Sequence, residues 1–96
     1  MRALHLFAVA ALLLVPAAAG KAEAPPGASS CSGCHAPSAR IDSAVPRLAG
    51  RSAAELAAEM QAFKNGQKPS TVMGRIAKGF SDAEIQAIAD WYALQN

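Results

Sequence analysis

Cys31 and Cys34 are the two cysteines of this 96-residue chain, and His35 follows the second directly in "CSGCHA". Three chemistries use thiols and an imidazole this close together. A structural zinc site normally takes four protein ligands, and this stretch supplies Cys31, Cys34 and His35 alone, because His5 lies in a leader expected to be removed. A thiol–disulfide motif belongs with a strand-rich, thioredoxin-like setting, and no alternating strand pattern occurs here; a merely structural Cys31–Cys34 disulfide is its plainer form. The third chemistry is covalent haem attachment. Two thiols three positions apart on a helical turn can form thioethers with the two vinyl groups of one haem, and the adjacent histidine points its imidazole at the iron. An export signal, helical patterning and an undersized core select this reading: one covalent haem c, tied to Cys31 and Cys34, with His35 as the proximal iron ligand.

Iron held by His35 alone would be open to ligand chemistry, so the opposite side decides the function. With His5 gone, no second imidazole remains, which leaves Met60 and Met73 as soft thioether donors. Met60 keeps helical spacing with Leu56 and Phe63, the usual pattern of core filling. Met73 lies in a loop between "PSTV" and Gly74, beyond a helix that can swing it to the other haem face. Met73 is therefore the expected distal iron ligand. The rival state, a five-coordinate haem, belongs to small peroxidases and gas sensors.

The elements that must position these groups are few. "MRALHLFAVAALLLVPAAAG" opens on Arg2, runs apolar from Ala3 to Val15 and ends in Ala17, Ala18 and Ala19, the pattern of a secretory signal. Its apolar run falls short of the roughly 20 residues a membrane span needs, so removal is expected after Ala19, or alternatively after Ala24, with no stable membrane insertion afterwards; retention as an anchor is the less favoured reading. Residues 1–19 are thus a cleaved signal peptide and 20–96 one domain, located in the periplasm. A domain of that size buries only about 60% of its unfolded surface and usually needs a staple; a covalently tied apolar disc is one.

"GKAEAPPGASS" reads as a flexible lead-in, with Pro25 or Pro26 able to open a short helix carrying the cysteines. Ala36 to Arg51 shows no period and reads as an ordered loop. In "SAAELAAEMQAFKNG" a capping box of Ser52 and Glu55 precedes Ala53, Leu56, Met60 and Phe63 at helical spacing, and Gly66 suits a left-handed stop. "FSDAEIQAIADWYALQN" repeats the device with Ser81 and Glu84, and Ile85, Ile88, Ala89 and Tyr92 mark one face. Between them lies a loop around Pro69 and Gly74, with one helical turn near Arg75 to Lys78. The fold class is all-α.

Net charge is +2 for the whole chain, but Lys64, Lys68, Arg75 and Lys78 fall between Met60 and Ser81 with no acid among them. Such a stretch can border an exposed haem edge and steer an acidic redox partner, or form a solvated face. Nucleic acid is excluded as a partner: a whole-domain basic stripe with aromatics is missing.

With "CSGCH" near the start, "VPRLAG" after it, a helix ending in "AFKNG", a methionine loop and a C-terminal helix with aromatics, the chain resembles the class I cytochromes c over nearly its whole mature length. The resemblance implies a small fold of three to four helices packed around one covalently attached haem, and an electron carrier rather than an enzyme. It also implies that the backbone carbonyl of Pro46 holds the Nδ1–H of His35, fixing its tautomer. Within the class, "GQKPSTVMGRIAKGFSDAEIQAIADWYA" is similar to the cytochrome subunits of flavocytochrome c sulfide dehydrogenases. That likeness implies a flavoprotein partner that oxidises sulfide; a freestanding shuttle between other redox proteins is the alternative. The chain departs from the pattern before Cys31, where Pro25-Pro26-Gly27 leaves the family's N-terminal helix truncated or shifted. Trp91 and Tyr92 are expected in the core rather than as an electron relay.

Overall fold

The computed structural model describes residues 22–96. The leader expected at residues 1–19 lies outside them. Four helices follow in order: α1 (Ala28–Cys31), α2 (Ala53–Lys64), α3 (Met73–Lys78) and α4 (Asp82–Ala93). Among the described residues there is no strand, and no helix is long and apolar enough to cross a membrane.

The single turn of α1 starts at Ala28, not at a proline. Pro25 and Pro26 form a turn ahead of it, in which the Ala28 N–H donates to the Pro25 carbonyl at 3.1 Å. Gly27 caps the helix at φ +86°, a conformation open to glycine at little cost. The ring of Phe80 packs there so closely that a Cβ on Gly27 would sit 2.6 Å from Phe80 Cε1.

α2 begins as expected at Ser52, whose Oγ accepts the Glu55 N–H at 3.3 Å. The reciprocal half of the capping box is missing, because the Glu55 carboxylate pairs with Arg51 at 2.5 Å instead. Its end is a full Schellman motif. The Gln67 N–H reaches the Ala62 carbonyl and the Gly66 N–H the Phe63 carbonyl, with Gly66 at φ +73°.

α3 begins at Met73, so Met73 opens a helix rather than lying in a loop. The serine four residues upstream of Gly74 explains the earlier start: Ser70 Oγ accepts the Gly74 N–H at 2.8 Å, satisfying a donor at the first turn. α4 carries the complete capping box, with Glu84 N–H to Ser81 Oγ at 3.1 Å and Ser81 N–H to Glu84 Oε1 at 2.9 Å. Its face of Ile85, Ile88, Ala89 and Tyr92 is buried, as the spacing predicts.

α2 packs on both α3 and α4, and α1 lies against α4. Lys64 fastens the α2–α4 contact by donating to the Phe80 carbonyl at 2.7 Å and to Asp82 Oδ1 at 3.1 Å. Tyr92 fastens α4 to α1. Its hydroxyl donates to the Ala28 carbonyl at 2.6 Å and lies 3.0 Å from Ser32 Oγ, so Ser32 is the donor in that second bond. Trp91 stands edge-on to Tyr92, with ring centroids 4.9 Å apart, and its Nε1–H donates to the Ala22 carbonyl. Both aromatics thus serve in packing.

Two glycines at positive φ separate backbone strain from steric overlap. A Cβ on Gly66 would meet nothing within 4 Å, whereas one on Gly27 meets Phe80. Gly66→Ala is expected to cost about 1–2 kcal/mol and Gly27→Ala roughly 2–4 kcal/mol in urea unfolding. Equal losses would contradict the Gly27–Phe80 contact.

Candidate functional site

The backbone keeps winding past the end of α1. The Gly33 N–H donates to the Ser30 carbonyl, and those of Cys34 and His35 both donate to the Cys31 carbonyl, at 3.3 and 2.9 Å. This turn presents both thiols and the imidazole from one short stretch. Cys31 is half-buried and Cys34 exposed, and the two are not joined in a disulfide. Burial pushes the Cys31 thiol up from its ordinary pKa.

His35 Nδ1 lies 2.5 Å from the Pro46 carbonyl oxygen. A carbonyl can only accept, so this contact requires the ring proton on Nδ1 and leaves the Nε2 lone pair available. The irregular segment between α1 and α2 is thereby explained physically, because it carries Pro46 back to the histidine eleven residues upstream.

One cleft of about 820 Å³ gathers the residues singled out in the sequence: Cys31, Cys34, His35, Pro46 and Met73 all line it. Its size lies within the range of small-molecule sites, about 300–1,000 Å³. Met60 lines it too, so the structure brings both candidate thioethers to the same cleft. The walls are mainly apolar: Leu56 and Phe63 from α2, Phe80 ahead of α4, and Ile85 and Ile88 within it. Val45, Val72 and Ile76 are exposed large hydrophobics, and all three lie on its lining.

The charged residues at the cleft were not singled out by sequence reasoning, apart from Lys68. Arg51 and Lys68 converge on Glu59 Oε1 at 3.1 and 3.2 Å, joining the entrance of α2 to the loop beyond its end. The Arg51 guanidinium beside Glu59 holds its carboxyl below the usual carboxylate range. Arg47 lines the cleft as well, and its Nε is buried with no hydrogen-bond partner among the described residues. Nothing periodic marks a lone arginine in a loop, so only the structure could find it.

The basic stretch is less free than its composition suggests. Lys64 is occupied by Phe80 and Asp82, and Lys68 by Glu59, with its Nζ also 5.1 Å from the Phe63 ring centroid. Arg75 and Lys78 are exposed and make no ion pair among the described residues.

No family model matches the chain. Three curated proteins are similar to it. The cytochrome subunit of sulfide dehydrogenase from Chlorobaculum tepidum is 41% identical over 63 residues, covering 66% of this chain and 57% of that protein. A thiosulfate dehydrogenase electron acceptor from Stutzerimonas stutzeri is 39% identical over 67 residues, 66% of this chain and 31% of its own length. Another from Thiomonas intermedia is 36% identical over 95 residues, 97% of this chain and 44% of its own length. By sequence and by fold, the chain resembles the class I cytochromes c. It spans 31% to 57% of the length of these relatives.

The residues present fit the haem of a cytochrome c. The cleft is apolar, as a porphyrin face requires, and its exposed Val45, Val72 and Ile76 are side chains a flat apolar group would cover. Its donor set offers two thiols, an imidazole with the Nε2 lone pair available, and thioethers, which suits haem iron. A zinc site fits less well: no group of three His, Cys, Asp or Glu among the described residues is arranged to hold an ion.

Proposed function

We propose that this chain is a periplasmic electron carrier, a monohaem cytochrome c. Cys31 and Cys34 form the haem thioethers, His35 Nε2 is the proximal iron ligand and Met73 the distal one. The observation that carries the reading is the His35 Nδ1–Pro46 contact at the cleft that both cysteines line. Residues 1–19 are removed as a signal peptide, and the remaining 20–96 retain Ala22, the acceptor for Trp91.

Bound haem would supply a one-electron iron couple, and His/Met ligation raises its potential relative to bis-His. The chain's own residues do the rest. The Pro46 carbonyl fixes the His35 tautomer and makes the imidazole a stronger donor. Leu56, Phe63, Ile85 and Ile88 keep water from the faces of the site. Met73, at the first turn of α3, is positioned by the Ser70–Gly74 bond beside it. A cleft built from packed helices has little to rearrange when one electron arrives or leaves.

The distal ligand is tested with carbon monoxide on the reduced protein near neutral pH. Wild type and Met60→Ala are expected to resist binding, and Met73→Ala to bind readily. Binding by Met60→Ala with resistance in Met73→Ala would reverse the assignment, and ready binding by wild type would favour a five-coordinate haem protein.

The relatives' names, with the similarity to flavocytochrome subunits, support a partner in sulfur-compound oxidation, a flavoprotein subunit that hands electrons to this chain. Native protein purified at low salt is expected to bring a flavoprotein whose reduction by sulfide precedes haem reduction. Haem that runs alone at the size of one chain would make the protein a freestanding shuttle.

A further inference from the structure

The loop between α2 and α3 has little to hold it. Residues 65–72 are all exposed, and they lead directly into Met73. Early in the loop the Gln67 and Lys68 N–H groups both donate to the Ala62 carbonyl of α2, at 2.9 and 3.1 Å. Pro69 has no N–H to offer, and from Pro69 to Val72 the chain makes no hydrogen bond to α2 among the described residues. Lys68 is thus the last residue of the loop that α2 holds by hydrogen bonds.

Its side chain turns back along the helix. Lys68 Nζ donates to Glu59 Oε1 at 3.2 Å and lies 5.1 Å from the centroid of the Phe63 ring, within the range of a cation–π contact. Glu59 and Phe63 are one turn apart on α2, and both line the cleft together with Lys68 and Met73. An exposed ion pair alone is worth little, but here the backbone bond, the ion pair and the ring contact act at one residue. We infer that Lys68 is a positioning residue for the distal iron ligand, a clasp that pins to α2 the loop presenting Met73. The inference rests on the haem and Met73 readings above and deepens them.

For an outside ligand to reach the iron, Met73 must first leave it, and the segment bearing Met73 must open. Such local openings draw on the contacts of the segment itself and not on the stability of the whole domain. The Ser70–Gly74 bond travels with Met73, since both of its partners lie beyond Lys68. The clasp is the fixed end: releasing it lengthens the free segment ahead of Met73 and alters no residue that touches the iron. α3 still packs on α2 after release, so the effect is a looser ligand and not a lost one.

The test is the rate at which carbon monoxide displaces the distal ligand in reduced, haem-loaded protein near neutral pH, with imidazole affinity of the oxidised protein as the equilibrium counterpart. Lys68→Gln is expected to raise both by about 3- to 10-fold. Lys68→Arg, which keeps the charge and the reach to Glu59 and Phe63, should stay near wild type. Glu59→Gln is expected to raise them by a smaller factor, because the Phe63 contact remains, and the double variant should not exceed Lys68→Gln alone. Lys78→Gln removes the same charge from outside the cleft, and Ser81→Ala weakens the α4 cap outside the cleft; both should match wild type. Unchanged values in Lys68→Gln overturn the assignment and leave the haem and Met73 readings intact. Effects of Lys68→Gln and Glu59→Gln that simply multiply in the double variant also overturn it, as do equal rises in Lys78→Gln or Ser81→Ala, which reflect net charge or global stability. Wild type that binds carbon monoxide readily overturns the distal-ligand reading, and the proposal with it.

Discussion

Seven apolar side chains form the buried core of the described residues, and three of them, Ala28, Ala77 and Ala89, are alanines. So little volume cannot close a domain upon itself, because burial stabilises by roughly 25 cal/mol per Å² of apolar surface and alanine has little to bury. The larger apolar side chains outside that core, Met60, Phe63 and Phe80 among them, line the cleft instead. The helices therefore build a wall around a site rather than a core around themselves. On the haem reading, cofactor and core are one requirement: the group that carries the electron also completes the packing.

Two polar ties hold the short cysteine-bearing turn against the rest. Tyr92 donates to the Ala28 carbonyl from the far end of the chain, and the Pro46 carbonyl accepts from His35 within the intervening loop. Both use backbone carbonyls as acceptors, so their geometry depends on the path of the chain and little on side-chain identity at Ala28 or Pro46. The loop between α1 and α2 lacks regular structure for the same reason. It delivers a carbonyl to the imidazole, and a proline there stiffens the delivery.

The helices were legible where local chemistry decides them. Ser81 and Glu84 form the full capping box, Gly66 ends α2, and the face of Ile85, Ile88, Ala89 and Tyr92 is buried, each from interactions within four or five residues. Local reading failed where a competing partner intervened. Glu55 prefers Arg51 to its own cap, Gly27 displaces the prolines as the start of α1, and Ser70 draws the start of α3 back to Met73. The cysteines and His35 were legible as a site because they are contiguous. Arg47 and the Arg51–Glu59–Lys68 cluster were not, since their meaning lies in which face of the cleft they reach.

A covalent bond between the chain and one haem underlies everything proposed for the site, and intact mass under denaturing conditions tests it most directly. Protein matured by export in its native setting is expected to carry the mass of one haem after acidic organic extraction, with tandem fragmentation locating it on the peptide that holds Cys31 and Cys34. A chain that emerges at its bare polypeptide mass, with both thiols free to alkylate, would contradict covalent attachment.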